Sequence, residues 1–229
     1  MTLAVHLWDN FDEVSKLALY TDAGVQLTNP APVTLTGPPA ARANGWIAYL
    51  PPTNQILVLA ALSSDLHPVH LSQSDLSIYD ASTLRRVSTE RITGGRAQGI
   101  AVHNNEIYTL QQQRSTRGAP QTFNDDVVVI RRSGSTRAAL QTVILTTGGV
   151  SLQDFRNIRA LAVTATRFYA VDHNPVSPVV GAWNHQGSRI SGEDIASPGG
   201  GGDLSAHSLA VARNKLLVGS EGRVQTHDL

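Results

Sequence analysis

Residues 100–111 read Ile-Ala-Val-His-Asn-Asn-Glu-Ile-Tyr-Thr-Leu-Gln, two apolar runs separated by a polar break. Short apolar runs bounded by turn residues are typical of buried β-strands, and Asn tolerates the positive φ that a tight turn needs. The stretch therefore predicts a β-hairpin. The same pattern of strand, break and strand recurs at residues 46–60, 161–172 and 209–220.

The first strand of each hairpin carries a small Ala between larger residues. The four triplets are Ile47-Ala48-Tyr49, Ile100-Ala101-Val102, Leu161-Ala162-Val163 and Leu209-Ala210-Val211. Small residues alternating with large ones suit strands that are crowded near a central axis, where interior positions must taper. We therefore expect these strands to be the innermost strands of a repeated all-β unit.

A third apolar strand recurs five times, at residues 17–20, 76–79, 127–130, 180–183 and 224–227. Most copies continue through a polar turn into a weaker fourth strand, for example at residues 25–27 and 139–145. Successive copies are 59, 51, 53 and 44 residues apart, which is close to the roughly 40–50 residues of a propeller blade. A β-sandwich also uses short strands and frequent turns, but it does not predict a cycle of four strands. The fold prediction is a single all-β domain over residues 1–229, a small β-propeller of about five four-stranded blades.

The two ends of the sequence do not complete a blade by themselves. Residues 2–7 have the pattern of a second strand that lacks its first strand, and Leu229 ends a third strand. We therefore expect the terminal blade to be closed by both chain ends.

Residues 75–110 carry a family resemblance. The stretch reads Leu-Ser-Ile-Tyr-Asp at 76–80, Gly-Ile-Ala-Val at 99–102 and Glu-Ile-Tyr at 106–108. This resembles the repeats of YVTN/NHL-type β-propellers, although Arg96-Ala97-Gln98 stands where those families often have Pro. The resemblance implies the fold and not an activity, because propellers host many unrelated functions. It also implies that the loops between blades, and those between second and third strands, emerge on one face.

Composition narrows the classes of partner. Eighteen basic and eighteen acidic residues give no formal net charge, which removes the general electrostatic attraction to nucleic acid or to an anionic membrane. No apolar run is long enough to span a membrane, so we expect no membrane insertion. The chain contains no cysteine, and its first ten residues lack the basic and apolar regions of a signal peptide. The compartment stays open.

Basic residues recur just before the predicted inner strands. Arg42 and Arg96 stand at the same register, Arg156 and Arg159 lie near it in a third copy, and His207 does so in the fourth. Convergent guanidinium groups would bind an anionic ligand or a carboxylate of a partner. The alternative is that each Arg ties one blade to the next by donating to backbone carbonyls.

The ends of the second strands supply the other candidates, among them Gln111 and the run Asp172-His173-Asn174. Propeller lactonases of the SMP-30 type hold calcium at this place, but calcium needs about six to eight oxygens and only Asp172 and Asn174 offer suitable ones here. We therefore predict no metal, and calcium stays open as the ion that the enzyme alternative would hold. Asp172 and His173 are weak catalytic candidates, in which a carboxylate would orient a general base. Trp8, at a strand end, is a candidate for stacking on a sugar ring.

These observations favour a non-enzymatic recognition module that binds a protein or a carbohydrate through loops on one face. The loops at residues 60–75 and 111–126 are long and polar and are the leading contact regions. One alternative is a propeller hydrolase or lyase with its site at the channel mouth. The other is a structural assembly subunit whose incomplete ends pair with other chains. We expect a monomer or a small oligomer.

Overall fold

The structure is a computed structural model that describes most of the chain. The described residues are 2–9, 14–21, 23, 25–35, 45–61, 73–93, 95–114, 124–132, 140–145, 157–173, 179–196, 208–220 and 223–229. Within these ranges the regular elements are eighteen β-strands and one short 3-10 turn at Pro51–Thr53. The predicted all-β class is confirmed.

The described strands form five antiparallel sheets, and within each sheet a strand pairs with the next one along the chain. Sheet I contains β1 (Thr2–Asp9), β2 (Val14–Thr21) and β3 (Val33–Thr34). Sheet II contains β4 (Gly45–Leu50), β5 (Gln55–Ala61), β6 (Gln73–Asp80) and β7 (Arg86–Thr93). Sheet III contains β8 (Arg96–His103), β9 (Glu106–Arg114), β10 (Asn124–Arg132) and β11 (Gln141–Ile144). Sheet IV contains β12 (Asn157–Val163), β13 (Arg167–His173), β14 (Val179–Asn184) and β15 (Ile195–Ala196). Sheet V contains β16 (Ser208–Ala212), β17 (Lys215–Ser220) and β18 (Arg223–Asp228).

The chain divides into two compact units, Met1–Ala97 and Gln98–Leu229. The first unit holds sheets I and II. Its core joins the two sheets, with Leu17 and Leu19 of β2 packed in one cluster with Ile56 and Val58 of β5. Alternate residues of a strand share one face, so this pattern follows from the spacing of two between the apolar residues.

The second unit holds sheets III, IV and V, although β8 begins two residues before the division, at Arg96. Sheet IV is buried on both faces. One face packs Phe168 and Trp183 in a cluster with Leu110 of sheet III, and the other packs Val171 in a cluster with Val218 of sheet V. Strands covered on both faces are apolar at successive positions, which explains the unbroken apolar runs of the predicted second strands.

Three of the four predicted breaks are tight turns that contain residues with positive φ. Asn54 has φ 50°, Asn104 and Asn105 have φ 47° and 64°, and Arg213 and Asn214 have φ 49° and 60°. Asn reaches this left-handed region more readily than most residues with a side chain. One strand prediction needs correction: residues 25–27 form only the Tyr20–Gln26 bridge with β2, and the third strand of sheet I is β3.

The small residues of the first strands mark a close approach of backbones in sheets III and IV. A Cβ placed on Gly99 of β8 would lie 2.8 Å from the carbonyl carbon of Ala160 in β12. Ala101 and Ala162 are buried in the same two strands, as the crowding argument predicts. Ala210 of β16, by contrast, is exposed.

Candidate functional site

The structure describes the side chains of only some predicted site residues. Four of the ten lie outside the described residues, namely Arg42, Arg156, Asn174 and His207. Trp8 and His173 lie in β1 and β13, but their side chains also fall outside the described part. The side chains that the structure places are those of Arg96, Gln111, Arg159 and Asp172.

Asp172 lies near the end of β13 and belongs to a buried charged cluster on sheet IV. Its carboxylate Oδ2 is 3.8 Å from Nη1 of Arg189, and the side chains of the two residues are 6% and 13% exposed. Arg189 also donates to Asp194 Oδ1, from Nε at 3.1 Å and from Nη2 at 2.7 Å. The guanidinium carbon lies 4.2 Å from the ring centroid of Trp183. One cation therefore sits between two carboxylates and over an indole.

Strand register brings this cluster together. Asp172 pairs with Val179, Gly181 pairs with Ala170, and Trp183 forms an isolated bridge with Arg189. A Cβ on Gly181 would overlap the guanidinium of Arg189. The missing side chain therefore creates the slot through which Arg189 reaches Asp172.

Burying a charge is costly unless the charge is paired, so the Asp172–Arg189 cluster has a clear structural role. Arg189 holds the end of β13 against the segment that connects β14 to β15. Sequence reasoning missed Arg189. The available signal was the turn Asn184-His185-Gln186-Gly187, because a turn there places Arg189 opposite Trp183.

The side chains of Arg159 and Asp172 do not lie on the same face of sheet IV. Arg159 pairs with Val171 of β13, and side chains of neighbouring strand residues point to opposite faces. The register therefore places Arg159 on the face of sheet IV that is turned away from the Asp172 carboxylate.

Gln111 is buried in a row of polar side chains on β9. Its Nε2 donates to Thr109 Oγ1 at 3.3 Å, and its Oε1 accepts from Gln113 Nε2 at 3.0 Å. Thr109 Oγ1 continues the row by donating to the carbonyl of Val129 at 3.4 Å. The row therefore fixes the end of β9 to β10 from within.

Arg96 begins β8 and is half-buried. The adjoining backbone N–H of Ala97 donates to the buried Ser74 Oγ at 3.1 Å, which ties the start of β8 to β6. The donor is the backbone N–H of Ala97, the residue next to Arg96. This hydrogen bond therefore fixes the position of the backbone that carries the Arg96 side chain.

The described residues contain no group of three or more His, Asp or Glu side chains that could hold a metal ion. Of the oxygen ligands considered for calcium, Asp172 is described and is held against Arg189, and Asn174 lies outside the described residues. Among the described residues there is also no helix long and apolar enough to cross a membrane.

Comparisons with protein-family models and with curated proteins give no match. Solved structures do match in fold. The glutaminyl cyclase of Myxococcus xanthus aligns with a TM-score of 0.54 and 11% identity, over 93% of this chain and 84% of that one. A chain from the nidogen/laminin complex aligns with a TM-score of 0.53 and 11% identity, over 100% and 90%. The periplasmic gluconolactonase PpgL of Pseudomonas aeruginosa aligns with a TM-score of 0.50 and 12% identity, over 100% and 68%.

These likenesses show the fold alone, since the identities are low. The similar structures include β-propeller proteins, which supports the propeller resemblance and does not single out the YVTN/NHL type. They also include enzymes as well as binding modules, so the fold does not choose between catalysis and recognition. The chain is an all-β protein whose antiparallel sheets resemble those of β-propellers.

Proposed function

We propose that this chain is a YVTN/NHL-like β-propeller of about five blades, closed by both chain ends, that acts as a non-enzymatic recognition module. It binds a protein or a glycan through the loops that connect second to third strands and one blade to the next. The alternatives, a hydrolase or lyase at the channel mouth and an assembly subunit, are outcomes of the tests below.

The pairing of Asp172 with Arg189 carries this proposal. A catalytic or metal-binding carboxylate at the end of β13 has to be available to a substrate or to an ion. Asp172 instead lies beside a guanidinium that also contacts Asp194 and Trp183. This arrangement favours a strand end that supports the loop following it.

The lengths of the connections add support. In sheets II and III the hairpins between first and second strands turn within residues 51–54 and 104–105. Residues 62–72 and 115–123 connect second to third strands in the same two sheets. These longer connections lie outside the described residues, and both fall within the loops that the sequence predicts as contact regions. A rigid scaffold that carries long polar loops at one end of its sheets is suited to recognition.

The first experiment is elemental analysis with native mass spectrometry of the purified protein and of two variants, Asp172→Asn and Asp194→Asn. Asp194 also contacts Arg189 but is more exposed, so its variant is a matched control for loss of one carboxylate from the cluster. We expect no stoichiometric metal in any of the three. Stoichiometric calcium that is lost only in Asp172→Asn would overturn the proposal in favour of the enzyme alternative.

The second experiment measures binding to a glycan array and to a phage-displayed peptide library. In one variant residues 115–123 are replaced by a Gly/Ser linker of equal length. In the control, residues 133–139, which connect β10 to β11 at the opposite end of sheet III, are replaced in the same way. We expect saturable binding that weakens about tenfold or more in the first variant, equivalent to roughly 1.4 kcal/mol, and persists in the control. Equal loss in both variants, or no saturable binding to either library, would contradict the proposed loop face.

A further inference from the structure

The row of hydrogen-bonded side chains along one face of β9 has a fixed polarity. The carbonyl oxygen of Val129 can only accept, so the 3.4 Å bond from Thr109 Oγ1 uses the single proton of that hydroxyl. Thr109 Oγ1 therefore accepts from Gln111 Nε2, which lies 3.3 Å away. The oxygen of the same carboxamide, Gln111 Oε1, accepts from Gln113 Nε2 at 3.0 Å. Every bond in the row thus points its proton from Gln113 toward Val129.

The row begins in the interior of sheet III and ends at a partly exposed side chain. Thr109 is fully buried and Gln111 is 1% exposed, whereas Gln113 is half-buried. Gln113 is the second-to-last residue of β9, and the connection of residues 115–123 follows Arg114. That connection is one of the loops proposed above for binding. The row therefore reaches from the core to the strand end from which a proposed contact loop departs.

Gln113 Oε1 is the outer end of this row. No described residue donates a hydrogen bond to this oxygen. Successive hydrogen bonds in a chain polarise one another, so donation from Gln113 Nε2 to Gln111 makes Gln113 Oε1 a better acceptor than the oxygen of an isolated carboxamide. The same carboxamide keeps a second Nε2 proton for donation. The outer end therefore offers one strong acceptor and one donor, and it carries no charge.

We propose that this end of the row is a subsite for hydroxyl groups of a neutral carbohydrate, in which Gln113 Oε1 accepts a hydroxyl proton. The inference rests on the recognition function proposed above and gives it one residue and one ligand chemistry. A hydroxyl both donates and accepts, so neighbouring hydroxyls of a sugar use the acceptor and the second proton together. A carboxylate can only accept and has no proton for this oxygen. The buried part of the row orients Gln113 before the ligand arrives, which reduces the entropy lost on binding.

Binding to an array of neutral oligosaccharides tests the subsite. The strongest binder is then titrated by calorimetry into the wild type, Gln113→Met and Gln112→Met, and circular dichroism verifies that each protein is folded at the temperature of the titration. Gln112 is the matched control, because it is half-buried like Gln113 but alternates to the opposite face of β9. We expect Gln113→Met to weaken binding about tenfold and Gln112→Met to change it by less than about twofold.

Analogues of the same oligosaccharide test the contact in the wild-type protein, without reliance on a variant. In each analogue one hydroxyl is replaced by hydrogen. We expect loss of one particular hydroxyl to weaken binding about tenfold in the wild type and less than about twofold in Gln113→Met, because both changes delete the same hydrogen bond. Equal losses in the two proteins for every analogue would show that Gln113 contacts none of these hydroxyls.

The outcomes separate this subsite from the recognition function on which it rests. Binding of a displayed peptide, with no binding of any neutral oligosaccharide, would overturn the carbohydrate subsite and leave recognition standing. No saturable binding to either library would overturn both. Oligosaccharide binding that Gln113→Met leaves unchanged, or that Gln112→Met weakens as much, would overturn only the role of Gln113.

Discussion

Replacement of Gly99 by Ala tests the close approach of β8 and β12. The added Cβ would lie 2.8 Å from the carbonyl carbon of Ala160 and 2.9 Å from the backbone nitrogen of Leu161. Both are backbone atoms in a buried strand. Ala160 already has φ +54° and lies in an irregularity of the β12–β13 register, so this backbone has little freedom to move away.

The expected magnitude follows from two opposing effects. Forcing one extra methyl into a packed interior costs about 1–3 kcal/mol. Replacing Gly by Ala restricts the unfolded chain and returns roughly 0.5–1 kcal/mol. We therefore expect Gly99→Ala to lower the free energy of unfolding by about 1–2 kcal/mol. For a chain of this size that corresponds to a fall in Tm of roughly 2–8 °C.

Gly219→Ala is the matched control. Gly219 is also a strand glycine, but the atom that its new Cβ would meet is the hydroxyl of Ser208, the free end of a rotatable side chain. We expect this variant to be within about 0.5 kcal/mol of the wild type, since the entropy gain offsets a small adjustment. Urea unfolding followed by tryptophan fluorescence measures both variants through their midpoints. Equal losses in the two variants, or no loss in Gly99→Ala, would refute the backbone-contact argument.

Three further predictions concern particular side-chain contacts. Arg189→Met should lower the free energy of unfolding at pH 7.5 by about 2–3 kcal/mol, because it removes the cation beside a buried carboxylate. Adding Asp172→Asn to this variant should recover part of that loss, as measured by a double-mutant cycle of urea unfolding. If the effects of the two substitutions were purely additive, the pairing of Asp172 with Arg189 would be contradicted. Gly181→Ala should lower the free energy of unfolding by about 1–3 kcal/mol, because the new methyl group displaces the Arg189 guanidinium. The same substitution should cost distinctly less in the Arg189→Met variant, where no guanidinium is present. An equal cost in both backgrounds would disprove the idea that Gly181 makes room for Arg189. Thr83→Val should raise the pKa of Asp80 back toward its ordinary value, because hydrogen bonds from Thr83 are the main cause of its lowered pKa. Carboxyl carbon resonances report that change directly, and an unshifted titration would exclude the Thr83 hydroxyl as its source.

Much of the strand pattern could be predicted because its causes are local. The hairpin of β8 and β9 follows from two apolar runs around Asn104-Asn105, whose positive φ values belong to the turn itself. Residues 180–183 were predicted as an apolar third strand, and Trp183 at the end of this run is fully buried. The last strand of sheet I was only partly located because residues 25–27 and β3 are both short, and only the pairing with β2 shows that the first makes a single bridge and the second a strand.

The candidate site could be predicted only in part, since proximity between separate strands is not a local property. Asp172 was recognised as the end of a second strand. Its partner Arg189 lies beyond a strand and a turn. The turn at residues 184–187 indicates that Arg189 lies opposite Trp183, but only the pairing of β13 with β14 shows that its charge reaches across Gly181 to β13. Arg159 was grouped by sequence position with Arg42, Arg96 and Arg156, and the register of β12 with β13 decides that it lies on the face of sheet IV opposite to Asp172.

The sequence by itself determined the all-β class, the hairpin turns and most strand positions, because backbone preferences and the alternation of side chains act over a few residues. Only the tertiary structure decided which side chains meet. The register of β13 with β14 brings Asp172 toward Arg189, and the approach of β8 to β12 explains why position 99 is a glycine. Such contacts depend on the packing of whole sheets, where a shift of one residue would turn every side chain to the opposite face.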